Sequence, residues 1–246
     1  MPLLSNNQIK FIKSLNDKKF RDEYGMFVVE GEKMVAEALS SGLKVEALYR
    51  KDEVGEDAMK RISALVTPSP VLAVVHKPVD LVADAVSPDK GLYLALDSIR
   101  DPGNMGTIIR LAEWFGIDAI YATADSVDIF NPKVVQSTMG AIFRVKFHYA
   151  DICKVAESFT KAGGNVYGTF LDGGNIYSKD LALGDASPVM IVIGNESRGI
   201  SESMATRVTD RLYIPPFPPD QPGSESLNAA VATAVTVAEF RRRLHK

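Results

Sequence analysis

One cysteine and three histidines in 246 residues are too few for a disulfide framework or a histidine–cysteine metal centre. Cys153 has no partner for an intramolecular bridge, and His76, His148 and His245 stand at no ligand spacing with it, so no metal is expected. Cys153 lies in a helical pattern beside Ile152, Val155 and Ala156, where a small buried apolar side chain is the plain reading. Long apolar runs are also missing. None approaches the ~18 continuous residues of a membrane-spanning helix, and the opening MPLLSNNQIKFIKS lacks a cationic segment followed by an apolar stretch and a small-residue cleavage site. A soluble cytoplasmic chain with no membrane partner is the expectation. Nor is there a basic excess: 28 Lys and Arg stand against 31 Asp and Glu, so any contact with nucleic acid has to be local. The remainder, 46% hydrophobic and 24% charged, suits one large core or two modest ones that need no staples.

The first third alternates helix and strand. A helix opens after Ser5 with Ile9, Ile12 and Leu15 at helical spacing, a strand covers 26–30, and Gly31 breaks it. A helix over 32–39, a strand near 45–49 and a helix near 56–62 follow, then a proline-punctuated stretch from Thr67 to Pro78. Apolar periodicity fades from Pro78 to Lys90, which places a small α/β domain at 1–85 and a second domain at 90–246. The second domain begins with the apolar run 92–97, and runs of the same character recur at 117–122, 165–171, 189–194 and 212–214, separated by helical stretches such as 107–115 and 152–161. An α/β fold is predicted, with a mostly parallel sheet, helices on both faces, and the ligand site at the carboxyl ends of the strands. The chain ends in a helix from Ser226 to about Leu244 carrying Arg241, Arg242 and Arg243.

Three polar constellations sit at such strand ends. In LALDSIRDPGNMGTIIRLAEWFG, Asn104 stands at a helix N-cap position and Arg110 lies about 200° round the helix from Ile108, away from the apolar stripe. Arg110 faces either water, as a solvated arginine on a capped helix, or a site, where its planar fork suits phosphate. In VMIVIGNESRGIS, Gly194 and Gly199 bracket Glu196 after a strand, either as a plain strand-to-helix turn or as backbone approaching a ligand closely. In RLYIPPFPPDQPGSESLN, Ile214 ends a short strand, a proline-rich loop follows, and Ser226, Leu227 and Asn228 open the last helix. That helix start is either capped by Ser224 or Ser226, or docks an anion on its free N–H groups.

Together and in this order, these constellations resemble the three signature motifs of SpoU-family RNA 2′-O-methyltransferases, members of the SPOUT class. The carriers are Asp101, Pro102, Asn104, Gly106 and Arg110; Gly194, Glu196 and Gly199; and Ile214, Pro215, Ser226, Leu227 and Asn228, over about 150 residues. The segment FVVEGEKMVAEAL is similar to the small domain of ribosomal-protein-like fold that precedes the knot in this family. The resemblance implies a trefoil-knotted catalytic domain, S-adenosylmethionine as cofactor, RNA (ribosomal or transfer) as partner, and a homodimer. It implies cofactor contacts at Thr169, Gly194, Gly199, Ile214 and Leu227, and catalytic roles for Arg110, Asn104, Glu196, Ser226 and Asn228. Because arginine is a poor proton acceptor, Arg110 is expected to clamp RNA phosphate and polarise the ribose hydroxyl, with Asn104 orienting it. Two departures stand out: a longer proline-rich loop (Pro215 to Pro222), and Gly103 where several relatives have histidine.

Local cations for RNA are Lys10, Lys13, Lys18, Lys19 and Arg21 near the N-terminus, with 241–243 a weaker candidate that also suits a helix C-terminus. Two rivals remain. A dehydrogenase-like enzyme fits the strand–helix alternation but lacks an early G-x-G-x-x-G after a first strand. A catalytically inactive RNA-binding assembly factor of the same fold is the alternative within the family.

Overall fold

Local rules set the first elements. Ser5 and Gln8 close a capping box on helix α1 (Asn6–Ser14), Asp17 caps α2 (Lys18–Tyr24), and Gly25, left-handed at φ 62°, ends α2. The computed structural model describes residues 4–83, 86–181, 187–218 and 226–244. Outside them lie Pro219, Asp220, Gln221 and Pro222 of the long loop, the cap candidate Ser224, Ala85 at the expected domain edge, and His245. The chain forms two compact units, one of residues up to Val79 with Asp128–Arg144, the other of Asp80–Val127 with the chain from Val145 onward.

The first unit continues through β1 (Met26–Glu30), α3 (Glu32–Ser40), β2 (Val45–Arg50), the single turn α4 (Lys51–Val54), α5 (Glu56–Ile62) and β3 (Val71–His76). Its antiparallel sheet runs β1-β3-β2. Ile9, Ile12, Leu15, Met59 and Ile62 from the helices pack on Val28, Leu72 and Val74. β3 is the central strand, yet it falls inside the proline-punctuated stretch to which no strand was assigned above. Its five buried residues Val71 to Val75 are the stronger signal, because prolines outside a strand remove none of its hydrogen bonds.

The second unit is a six-stranded, wholly parallel sheet in the order β6-β5-β4-β8-β7-β9. The chain enters at β4 (Gly91–Leu96), passes α6 (Pro102–Trp114) and β5 (Ile120–Ala122), then leaves to give α7 (Pro132–Thr138) and one 3₁₀ turn (Ala141–Phe143) to the first unit. It returns as β6 (Phe147–Tyr149), α8 (Ile152–Lys161), β7 (Asn165–Asn175), β8 (Pro188–Ile193), α9 (Glu202–Ala205), β9 (Asp210–Tyr213) and α10 (Ala229–Leu244). Alternation along the strands divides the core. Tyr93, Ala95, Val166, Met190 and Val192 meet Ile152, Val155 and Phe159 of α8, while Tyr167, pointing the other way, meets Phe240 of α10 at 5.1 Å. The strand order reverses between β4 and β8, so the motif loops that follow these strands lie at the switch point where α/β sheets bind ligands.

Candidate functional site

Asp101, not Asn104, caps α6: its carboxylate accepts from Asn104 N at 2.8 Å, and Pro102 occupies the first turn. Released from capping, the buried Asn104 side chain faces the other two motifs. Its Nδ2 donates to Glu196 Oε1 at 2.6 Å, and its Oδ1 accepts from Asn228 Nδ2 at 2.9 Å. Asn228 Oδ1 accepts from Ala230 N and Val231 N at 3.0 and 3.3 Å, so Asn228 itself caps α10, in place of Ser226. The direction of this relay follows from its ends. A carboxylate only accepts and helix N–H groups only donate, which orients both amides between them. Arg110 is exposed, with no hydrogen-bond or ion-pair partner among the described residues, Asn104 included.

The loop after β8 is held by steric and polar constraints. A Cβ on Gly194 would lie 2.3 Å from the carbonyl carbon of Gly199, closer than any side chain allows. Asn195 and Gly199 exchange backbone hydrogen bonds at 3.0 and 2.8 Å, and Asn195 Oδ1 accepts from Ser197 N and Arg198 N. Asn195 Nδ2 donates to the carbonyl of Ser98 at 2.8 Å, while Ser201 donates through its N–H and hydroxyl to Asp97 Oδ2 at 2.8 and 2.7 Å. Ser98 holds a left-handed φ of 59° and donates from its hydroxyl to Asp125. Hydrogen bonds from Thr123, then Ser98, and the neighbouring Arg100 guanidinium hold the Asp125 carboxyl down at about 2. Asp97, Ser98 and Asn195 were missed from sequence, where the only signal was an acid ending the buried run LALD.

A cleft of about 550 Å³ opens at the carboxyl ends of β7, β8 and β9 and the start of α10. Thr169, Gly194, Gly199, Ile214 and Leu227 all line it, together with Glu196 and Ser226. Asn104 and Asn228 are outside the lining, and their side-chain relay meets it at Glu196. Phe170 and Arg211, not foreseen, also line it, with the Arg211 guanidinium 3.9 Å from the Phe170 ring centroid. Cys153 is half-buried in the wall of a separate cavity at the ends of β4, β5 and β6.

The expected RNA cations separate into two kinds. Lys10, Lys13 and Lys19 are exposed, and Lys18 is exposed but paired with Asp22. Arg21 is buried and does not belong with them. Its Nε and Nη2 grip Asp128 Oδ2 at 2.9 and 2.8 Å, and its Nη1 donates to the carbonyls of Leu15 and Asn16. The C-terminal arginines are engaged as well: Arg241 donates to the carbonyls of Phe115 and Gly116, Arg242 and Arg243 to Glu239, and Arg243 also to Ile176, Tyr177 and Lys179 carbonyls.

The sequence profile of the SpoU rRNA methylase family matches residues 91–238, and that of the MRM3-like substrate binding domain matches residues 6–91. A Bacillus subtilis protein named 23S rRNA (guanosine(2553)-2′-O)-methyltransferase RlmP is 31% identical over 96% of both chains. Among solved structures, an AdoMet-bound rRNA methyltransferase from Sinorhizobium meliloti superposes with a TM-score of 0.85 at 30% identity, covering 99% of this chain and 97% of that one. A TrmH-family protein from Porphyromonas gingivalis superposes with a TM-score of 0.84 at 40% identity, covering 98% and 99%.

Proposed function

The chain belongs to the SpoU rRNA methylase family, and from that premise we propose that it transfers a methyl group to a ribose 2′-hydroxyl of ribosomal RNA. It is an S-adenosylmethionine-dependent RNA methyltransferase. The observation that carries the finer reading is the relay Asn228–Asn104–Glu196, which joins residues of all three motifs at one wall of the cleft.

The cleft suits S-adenosylmethionine in size, and Gly194 leaves its floor without a side chain, so backbone approaches whatever is bound. Thr169, Gly194, Gly199, Ile214 and Leu227 are the residues assigned to hold it. When bound, the cofactor supplies an electrophilic methyl on a sulfonium sulfur. The protein's part is to bring a ribose oxygen in line with that methyl and to ease departure of the hydroxyl proton. Arg110, exposed and unengaged, is assigned to grip the adjacent phosphate and polarise the hydroxyl. Asn104 acts on Glu196 rather than on Arg110, fixing the carboxylate at the cleft wall. Ser226, on the cleft lining, and Asn228, at the head of α10, shape the ribose side.

Residues 1–85 are assigned to recognising the RNA, with Lys10, Lys13, Lys18 and Lys19 at its phosphates. The knotted path, a cytoplasmic location and a homodimer belong to the same reading. Trp114, 84% exposed at the end of α6, and Val231, exposed on the adjoining α10, support an apolar pairing surface. No helix among the described residues is long and apolar enough to cross a membrane.

Labelled methyl transfer from S-adenosylmethionine to total RNA of a strain lacking the gene, followed by nucleoside analysis, tests the proposal. The wild type is expected to yield a 2′-O-methyl nucleoside, and Arg110→Ala to lower transfer at least ~100-fold with cofactor binding retained. Methyl on a base overturns the ribose assignment, and cofactor binding without transfer returns the chain to the inactive RNA-binding alternative.

A further inference from the structure

The first unit carries a surface that methyl transfer itself does not use. Phe20 and Tyr24 lie one turn apart on α2, with ring planes 13° from parallel and centroids 6.3 Å apart. Phe11 of α1 and Tyr24 form an edge-to-face pair at 5.1 Å and 72°. Phe11 and Phe20 are half-buried, whereas Tyr24 is 42% exposed, so a ring supported by two others still meets solvent. A nucleobase stacks on such a ring, and the pairing tolerates any sequence because every base has a π-face.

Charge selects the same partner. Residues 5–24 expose four lysines and three acids, Arg21 being buried against Asp128, within a chain of net charge −3. Lys19 Nζ stands 5.6 Å from the Phe20 centroid, Lys10 and Lys13 are exposed on α1, and Asp22 is held by both Lys18 and Lys77. An apolar protein surface gains nothing from these lysines, while a phosphate chain does. A duplex would meet the lysines but has no free base face to offer the ring.

We propose that Tyr24, backed by Phe20 and Phe11, stacks an unpaired base of the RNA substrate, with Lys10, Lys13 and Lys19 at the flanking phosphates. The inference rests on the reading of the chain as an RNA-modifying enzyme and adds the form of RNA that the first unit takes: single-stranded at the contact.

The test is fluorescence anisotropy of a short labelled oligoadenylate with the full-length protein and no cofactor. Tyr24→Ala is expected to weaken binding about ten-fold, and Tyr24→Phe, which keeps the ring, to stay within about two-fold of wild type. Tyr24→Leu separates stacking from packing, since it fills the space beside Phe11 without a π-face, and it is expected to bind as poorly as the alanine variant. Lys19→Ala is expected to flatten the salt dependence. Failure of the wild type to bind oligoadenylate, undiminished binding by Tyr24→Ala, or equal affinity for a duplex of the same length overturns the proposal. Failure of the enzymatic reading shows elsewhere, as absent methyl transfer and cofactor binding in the wild type with oligoadenylate binding untouched.

Discussion

Asn104 tolerates no acid. Its Nδ2 lies 2.6 Å from Glu196 Oε1, so Asn104→Asp sets two carboxylates against each other and also removes the donor that Glu196 needs. Like charges at that range cost several kcal/mol, and the expected result is a fall in kcat of about 100-fold, equivalent to ~2.7 kcal/mol. Steady-state methyl transfer checks it; an Asn104→Asp enzyme as fast as wild type removes the relay from the mechanism. The two glycines of the second motif differ in a way their spacing does not reveal. Gly194 is required because a Cβ would overlap the backbone of Gly199, whereas Gly199 has open space and needs only its left-handed φ of 69°. Gly194→Ala should therefore lower S-adenosylmethionine affinity at least ~10-fold in calorimetry, while Gly199→Asn, a residue that accepts this conformation, should bind nearly normally.

At the scale of elements, α10 joins chemistry at its first turn to structure at its last. Asn228 caps its start and passes the relay to Asn104; near its end the buried Glu239 accepts from Arg242 at 2.8 and 2.7 Å and from Arg243 at 2.6 Å. Hydrogen bonds from Arg242, then Arg243, hold the Glu239 carboxyl down at about 2 from an ordinary 4.5. A carboxyl depressed in the folded state stabilises the fold above its ordinary value and loses that contribution as pH falls toward the folded one. Glu239→Gln is thus expected to be less stable than wild type by about 2 kcal/mol near neutrality, with the gap closing between about pH 4.5 and pH 2 in urea titrations. A gap that persists unchanged at pH 2 assigns the loss to packing instead. Elements with a clear period or a buried run were legible in the sequence: α1 after Ser5, α8 over 152–161, the buried runs of β4 and β8. β6 and α7 were not. A three-residue strand gives no period to count, and α7, opened by Asn131 and Pro132, spans only seven residues.

Over the whole molecule, local pattern says which residues form a helix but not which core the helix joins. The motif residues that line the cleft were singled out through their resemblance to the three family motifs, whereas the Asp97 and Asn195 contacts arise only when strands distant in sequence end side by side. The segment Asp128–Arg144 lies inside the stretch that matches the methylase family, yet it packs with the first unit. Phe130 packs tilted at 44° against Phe27 with ring centroids 4.5 Å apart, Arg144 pairs with Glu37, and Asp128 receives the buried fork of Arg21. Arg21 therefore separates two accounts of the N-terminal cations. If it met RNA, its loss would weaken RNA binding and leave stability alone. As the counter-ion of a buried carboxylate, its loss leaves Asp128 charged, dehydrated and unpaired, and the carbonyls of Leu15 and Asn16 without their donor. Arg21→Ala is expected to cost about 3–5 kcal/mol in denaturant unfolding, whereas Lys13→Ala, on the exposed face of α1, should stay within about 0.5 kcal/mol. Equal stabilities for the two variants, with RNA binding lost in Arg21→Ala, would restore Arg21 to the RNA-facing set.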